Sequence, residues 1–487
     1  MMIYNKRLNR FAKRALIVFL LMPFLYSCSP YNKSMVDYHQ NVTSHNYEKA
    51  NNIINKSKFF RKKRNKLLSD FENGRLNFLT SDYQKSNDFL NAADDILESN
   101  FKTGKDVAVS NLISPIMETY RGEEFEKFLI YFYKALNYSE LGKPEDAIVE
   151  ARRITLASDR LEQKVKNTNK YNKDAFSLNL QGMLYESAGD INNAFISYRN
   201  AANIYLEKNN RFYGVRIPEQ LKTDLLRTAS EIGFVEEKER YETIFNKKYN
   251  AENQERELIL FIEEGNGPTK KETRFTITHN NRQPVYNFYG QDYIYHSVPF
   301  DYTGTGINIT KLLDDENFEI ALPTYSINYN KIIQLSISLN DSSYHDEIAQ
   351  DLNQLSVAIL QERLLSDLAK AIIRYQIKHS TGKGAKKIAT KIAEKKGEDS
   401  SDTEKEKKKK TENAALIGDI VGFLASITNA ATEVADTRCW LSLPAYIKYV
   451  RLPLKDGENS ISIVYQSQTK VIKVSGKKGI QIKSIQL

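Results

Sequence analysis

Two short stretches concentrate the side chains able to do chemistry. The first, Tyr120-Arg121-Gly122-Glu123-Glu124-Phe125-Glu126, sets carboxylates beside a guanidinium and a phenol. The second, Ala435-Asp436-Thr437-Arg438-Cys439-Trp440-Leu441-Ser442-Leu443-Pro444, holds a carboxylate, a guanidinium, a thiol and the chain's single tryptophan. A general acid or base built on Glu123 or Asp436 needs a second, converging carboxylate and a cleft, and the spacing supplies neither. The acidic residues of the first stretch read more simply as a helix start, where negative charge complements the helix dipole. The sharper reading makes Tyr120, Arg121 and Glu123 a polar contact site. Arg438 is either a structural cation paired with Asp436 or a fork presented to a partner's carboxylate or phosphate. Trp440, between apolar neighbours, reads as a core anchor before it reads as a ligand contact. Tyr120, Arg121, Glu123, Asp436, Arg438 and Trp440 are thus the candidate partner-binding residues.

A nucleophilic cysteine at position 439 would need a base, and His279, His296, His345 and His379 stand in no companion motif. The signatures GxxxxGK[ST], GxGxxG, HExxH, GxSxG and paired CxxC are missing from the sequence. No catalytic residue, cofactor or metal ligand is assigned, and nucleotide hydrolysis and zinc chemistry are unsupported.

The other cysteine, Cys28, points to modification. Lys6, Arg7, Arg10, Lys13 and Arg14 precede an apolar run over 15–25 that is too short to span a bilayer. The run ends in Leu25-Tyr26-Ser27-Cys28, which resembles a bacterial lipobox, although Tyr26 is larger than the residue usual there. The expectation is a signal peptide over 1–27, a lipidated Cys28 as the new N-terminus, and a tether over 28–46. Several acyl chains hold a globular body on a membrane far more firmly than one. Ser29, not aspartate, follows the cysteine, which favours the outer membrane. With Cys28 acylated, Cys439 has no partner and no disulfide is expected. Loss of five basic residues with the signal lowers the formal charge from +9 to nearer +4, too little to suggest nucleic acid as a partner.

The elements that must position these residues fall into two halves, and the fold class expected is α+β. Over 47–250, three segments share a spacing of small and aromatic residues: Gly182, Tyr185, Gly189, Ala194, Tyr198, Ala201; Ala135, Tyr138, Gly142, Ala147, Ala151; and, more weakly, Gly74, Asn77, Tyr83, Ser86, Leu90, Ala93. Pro144 stands where a second helix begins, a position that tolerates its missing N–H. The pattern resembles the tetratricopeptide repeat, and three copies suffice for a stable α-solenoid with a concave, protein-binding face. Tyr171, Tyr185 and Tyr205 are core residues on the simpler reading and groove-lining ones on the other.

From Arg256 the period changes to that of a strand, closed by the turn Gly265-Asn266-Gly267-Pro268. The mixed α/β module begins over 251–381, with strands near 274–278, 318–322 and 331–338 and a helix over 346–377. Residues 382–412 mix lysine with acidic and small polar residues and read as a solvated linker. The final part, 413–487, opens on an apolar stretch over 414–431, interrupted by Gly418, Asp419 and Gly422, that reads as a buried helix before a membrane segment. It ends in strands at 446–452, 460–465 and 470–474, a small antiparallel sheet.

In order and content, the lipobox, the two motifs of the opening, Ala135-Leu136-Asn137-Tyr138 and the strand closing on Gly265 to Pro268 resemble an uncharacterised family of TPR-containing bacterial outer-membrane lipoproteins. The charged insertion and Cys439, in place of a serine, are local departures. The resemblance implies a lipid-anchored scaffold or adaptor in the cell envelope, facing the periplasm. Its partners would be envelope proteins, the membrane through its acyl chains, and peptidoglycan. A cell-wall enzyme using Glu123 or Asp436, or a regulator of a peptidoglycan synthase, is the competing expectation.

Overall fold

The computed structural model describes residues 29–101, 115–165, 170–250, 254–279, 285–290, 295–299, 317–327, 332–379 and 434–487. Cys28 and the signal segment, the charged stretch 382–412 and the apolar stretch 414–431 lie outside them.

The helical half is a row of helix–turn–helix pairs: α1 (Ser29–Thr43) with α2 (Tyr47–Lys56), α3 (Lys66–Leu79) with α4 (Tyr83–Phe101), α5 (Glu124–Glu140) with α6 (Pro144–Lys164), α7 (Ala175–Ser187) with α8 (Ile191–Glu207), and α9 (Glu219–Glu231) with α10 (Val235–Phe245). Every turn uses one device. A residue with positive φ (His45, Ser81, Gly142, Gly189, Gly233) ends the first helix. The next N–H then bonds the carbonyl five residues back: Asn46 to Asn41 (2.7 Å), Asp82 to Asn77 (2.8 Å), and Lys143 to Tyr138, Asp190 to Tyr185 and Phe234 to Ala229 (2.9 Å each). This Schellman closure satisfies carbonyls the helix end leaves open. Three of the five turns carry glycine and two do not, so the sequence shows only part of the array.

Within pairs, small residues set the approach. A methyl group at Gly182 would collide with the Tyr198 ring, and one at Gly74 with Leu90. Ala135, Ala147, Ala151, Ala194 and Ala201 are buried at the same contacts, and Tyr171, Tyr185 and Tyr205 belong to the core.

The segment 28–46 is not a tether, because most of it is α1. Met35, Tyr38 and Val42, spaced along one face, are buried, and the Tyr38 hydroxyl donates to Glu72 of α3 (2.7 Å).

Three four-stranded sheets stand beside the helices among the described residues. In the first, β10 (Glu347–Asp351), β11 (Tyr446–Pro453), β3 (Arg256–Glu264) and β14 (Gly479–Gln486) lie in that order, with β14 parallel to β3. The second runs β13 (Gln468–Gly476), β12 (Gly457–Tyr465), β8 (Ser336–Leu339), β9 (Ser342–Tyr344), and the third β6 (Tyr295–Pro299), β5 (Val285–Gly290), β4 (Thr269–His279), β7 (Asn317–Ser326). A two-residue ladder, β1 (Arg211–Phe212) and β2 (Val215–Arg216), decorates the helical half.

The first sheet explains the apolar run of β3. Ile259 and Phe261, with Ile447 and Tyr449 of β11, face the helices and join their core. Leu258, Leu260 and Ile262, with Val450 and Leu452, face Ile337, Leu339, Ile461 and Ile463 of the second sheet. Helices, sheet and sheet therefore stack in layers, and a strand buried on both sides reads as continuous apolar sequence. The C-terminal strands are not a self-contained sheet, since they pair with β3, β8 and β10 from the first part of the module. The long helix α11 (Leu352–His379) starts later than its sequence pattern suggests, because Glu347–Asp351 pairs with β11 instead. No helix among the described residues is long and apolar enough to cross a membrane.

Candidate functional site at the seam

Both motifs meet at the seam between helices and sheets, and Glu126 of α5 joins them. Its carboxylate accepts from the Glu123 N–H (2.7 Å) and the Tyr120 hydroxyl (2.5 Å), which fixes the helix start, and from the Trp440 N–H (2.8 Å). Trp440 stacks on Phe71 with ring centroids 4.6 Å apart and meets Tyr133 edge-on at 5.7 Å. Its indole N–H donates to Ser442 Oγ (3.0 Å). Glu72 binds the next stretch, accepting from the Leu441 N–H and Ser442 Oγ (2.6 Å each) and from Tyr38. Arg75 of α3 pairs with Glu263 of β3 and donates to the Ser442 carbonyl (3.2 Å).

Arg438 is 1% exposed. It grips Asp436 through Nε (2.8 Å) and Nη2 (2.7 Å) and donates to Asn65 Oδ1 (2.9 Å) and the carbonyls of Glu118 (2.9 Å) and Pro115 (3.1 Å). Residues 434–444 thus form a strap sewn to the helical half.

The expectation of a partner-facing surface fails at four of the six candidates. Tyr120, Glu123, Arg438 and Trp440 are buried, because each is consumed by an internal contact. Asp436 is half-buried under Arg438, and Arg121 alone is exposed.

Glu123 is clamped by Lys270 of β4 and by Arg363 of α11, whose Nη2 lies 3.0 Å from Oε1. Burial pushes this carboxyl up, but the two cations outweigh it and hold it well below the usual range. The neighbouring Glu126 is raised, by burial first and then by the Glu123 charge. Burial also drives Glu72 up to about 7, against the hydrogen bonds it accepts. Cys439 is buried, and burial first of all pushes its thiol up to about 12.

A cleft of about 240 Å³ opens over Glu123. Tyr120, Arg121, Glu123 and Asp436 line it, joined by Glu118, Lys270, Asp367, Arg363, Lys370 and Arg374 and by Ala321 to Pro323 of β7. Sequence reasoning brought out neither Glu72 nor the cations Lys270 and Arg363, since their partners lie up to 370 residues away. The one available signal was Glu72 and Arg75 beside the packing residues Phe71 and Gly74 of α3. No group of three or more His, Cys, Asp or Glu among the described residues is arranged to hold a metal.

No protein-family model matches this chain, and neither curated proteins nor solved structures match it. The functional reading therefore stands on the chain's own residues.

Proposed function

We infer that this chain is a lipid-anchored adaptor of the bacterial cell envelope: a TPR-like array holds a protein partner, and a β-rich module is fused to it as one body. The anchor is Cys28, acylated and seated in the outer membrane facing the periplasm. The observation that carries the reading is the outer face of α6. Val149 and Leu156, two turns apart, are 44% and 53% exposed. Val149 lines a groove of about 220 Å³ between the second and third helix pairs, together with Asn91, Asp95, Tyr138, Asp146, Glu150 and Arg153. Asp95 and Asp146 make no hydrogen bond or ion pair among the described residues. Apolar side chains flanked by unspent carboxylates suit a partner segment with apolar anchors and lysine or arginine beside them.

The seam supports binding over catalysis. Glu123 is locked by two cations and Asp436 by Arg438, so neither carboxylate is placed to trade protons. Deleting the helical half would strip one face of the first sheet, so point substitutions are the sounder test. Crosslinking in living cells followed by purification of the lipidated chain should yield a protein partner that Leu156→Asp loses while the variant keeps its melting temperature. Equal recovery with Leu156→Asp would remove the α6 face from the account.

A further inference from the structure

The cleft over Glu123 has chemistry that its internal contacts do not use up. Five cations and four carboxylates line it, and Arg438 behind Asp436 adds a sixth positive charge. The carboxylates are largely spent. Glu123 has Lys270 and Arg363, Asp436 has Arg438, and Asp367 lies 3.0 Å from Arg363 and 3.2 Å from Lys370. Arg374 is buried with contacts of its own.

Arg121 differs from all of these. Its side chain is exposed and makes no hydrogen bond or ion pair among the described residues, and the carboxylate whose charge it feels is Glu118, which it shares with Arg374 and Lys370. Its backbone is nevertheless fixed on both sides, by Tyr120 bonded to Glu126 and by Gly122, whose φ of 69° favours glycine and where a Cβ would stand 3.3 Å from the Phe71 ring. A guanidinium with no hydrogen bond of its own is thus held in place at the mouth of a net-positive cleft. Lys370, 44% exposed, shares Asp367 with Arg363, lies within reach of the Glu118 charge and stands at the same opening. The apolar part of the floor is Pro323, half-buried, with Ala321 and Leu322 buried beside it. The volume falls below the roughly 300–1,000 Å³ of pockets for drug-sized ligands, so the occupant is short.

We propose that this cleft is a binding site for the free carboxylate of a short peptide, with Arg121 and Lys370 taking the carboxylate and the residue before it resting on Pro323. A planar guanidinium matches a carboxylate in two-point geometry, and the apolar floor offers nothing to a bare inorganic anion. The site is separate from the α6 groove and does not rest on the adaptor reading.

The test is calorimetric titration of the detergent-solubilised full-length chain with acetyl-dialanine as the free acid, as its C-terminal amide, and with inorganic phosphate. The free acid is expected to bind and the amide is not. Arg121→Gln should weaken the free acid by about tenfold or more, the loss of one charge-assisted contact, with an unchanged melting temperature. Lys370→Gln should weaken it as well, while Leu156→Asp should leave it unaltered. Equal binding of acid and amide, binding of phosphate in place of the acid, absence of binding, or wild-type affinity in both cleft variants would overturn the proposal.

Discussion

Replacing Arg438 by methionine separates the structural role found here from a partner-contact role. The substitution keeps length and apolar bulk but removes five side-chain hydrogen bonds. Asn65 Oδ1, fully buried, loses a donor, and the Asp436 carboxylate loses its cation. Breaking one partner of a buried pair costs about 3–5 kcal/mol. Asp436 keeps 28% of its side chain exposed and can rehydrate, which places the effect at the lower end, about 3 kcal/mol. The assay is urea unfolding followed by the emission of Trp440, the only tryptophan and itself part of the seam. The midpoint should fall by an amount equivalent to that loss, and the change should also appear by circular dichroism of the helices, because strap and helices share one core. A loss below about 1 kcal/mol, or a Trp440 transition detached from that of the helices, would refute the reasoning.

Four further outcomes follow from named contacts. Glu72 has a folded pKa raised to about 7 from 4.5, so the native state binds the extra proton. Its contribution should be most favourable below about pH 4.5 and decline as pH rises to about 7, by roughly 3 kcal/mol at most; Glu72→Gln should flatten stability across that window, and an unchanged slope would contradict the assignment. Gly182→Ala, which drives a methyl into Tyr198, should destabilise by about 1–3 kcal/mol in the same urea assay. Cys439 should resist iodoacetamide at pH 8 in the native chain and react once unfolded, and rapid native labelling would show the thiol to be accessible. Cys28→Ala should abolish incorporation of an alkyne-bearing palmitate analogue and release the chain from membranes, whereas a variant still labelled and bound would be anchored elsewhere.

Local chemistry made much of this fold legible. The strands at 256–264 and 446–453 announce themselves by apolar runs, and Gly142 and Gly189 mark two turns. The turns at His45 and Ser81 share the same closure without glycine, so periodicity showed three pairs where the described residues form five. Helix α1 was hidden because Met35, Tyr38 and Val42 stand in a polar sequence, and only the distant Glu72 gives Tyr38 its partner. The candidate residues were found for a sound reason, and for Arg438 and Trp440 the structural one of the two readings matches the contacts. Arg438 and Trp440 are unusual because they are buried against α3 and α5, and residue type alone does not separate a buried clamp from an exposed contact. Arg121 keeps its candidacy because its neighbours, not itself, are buried.

The adaptor reading is tested most directly by placing a photo-crosslinking residue at Leu156, at Val149 and, as a control on the exposed face of β13, at Val471 in cells. One protein adduct of the same mass is expected from positions 149 and 156 and none from 471. No adduct from the α6 positions, or the same adduct from all three, would contradict it.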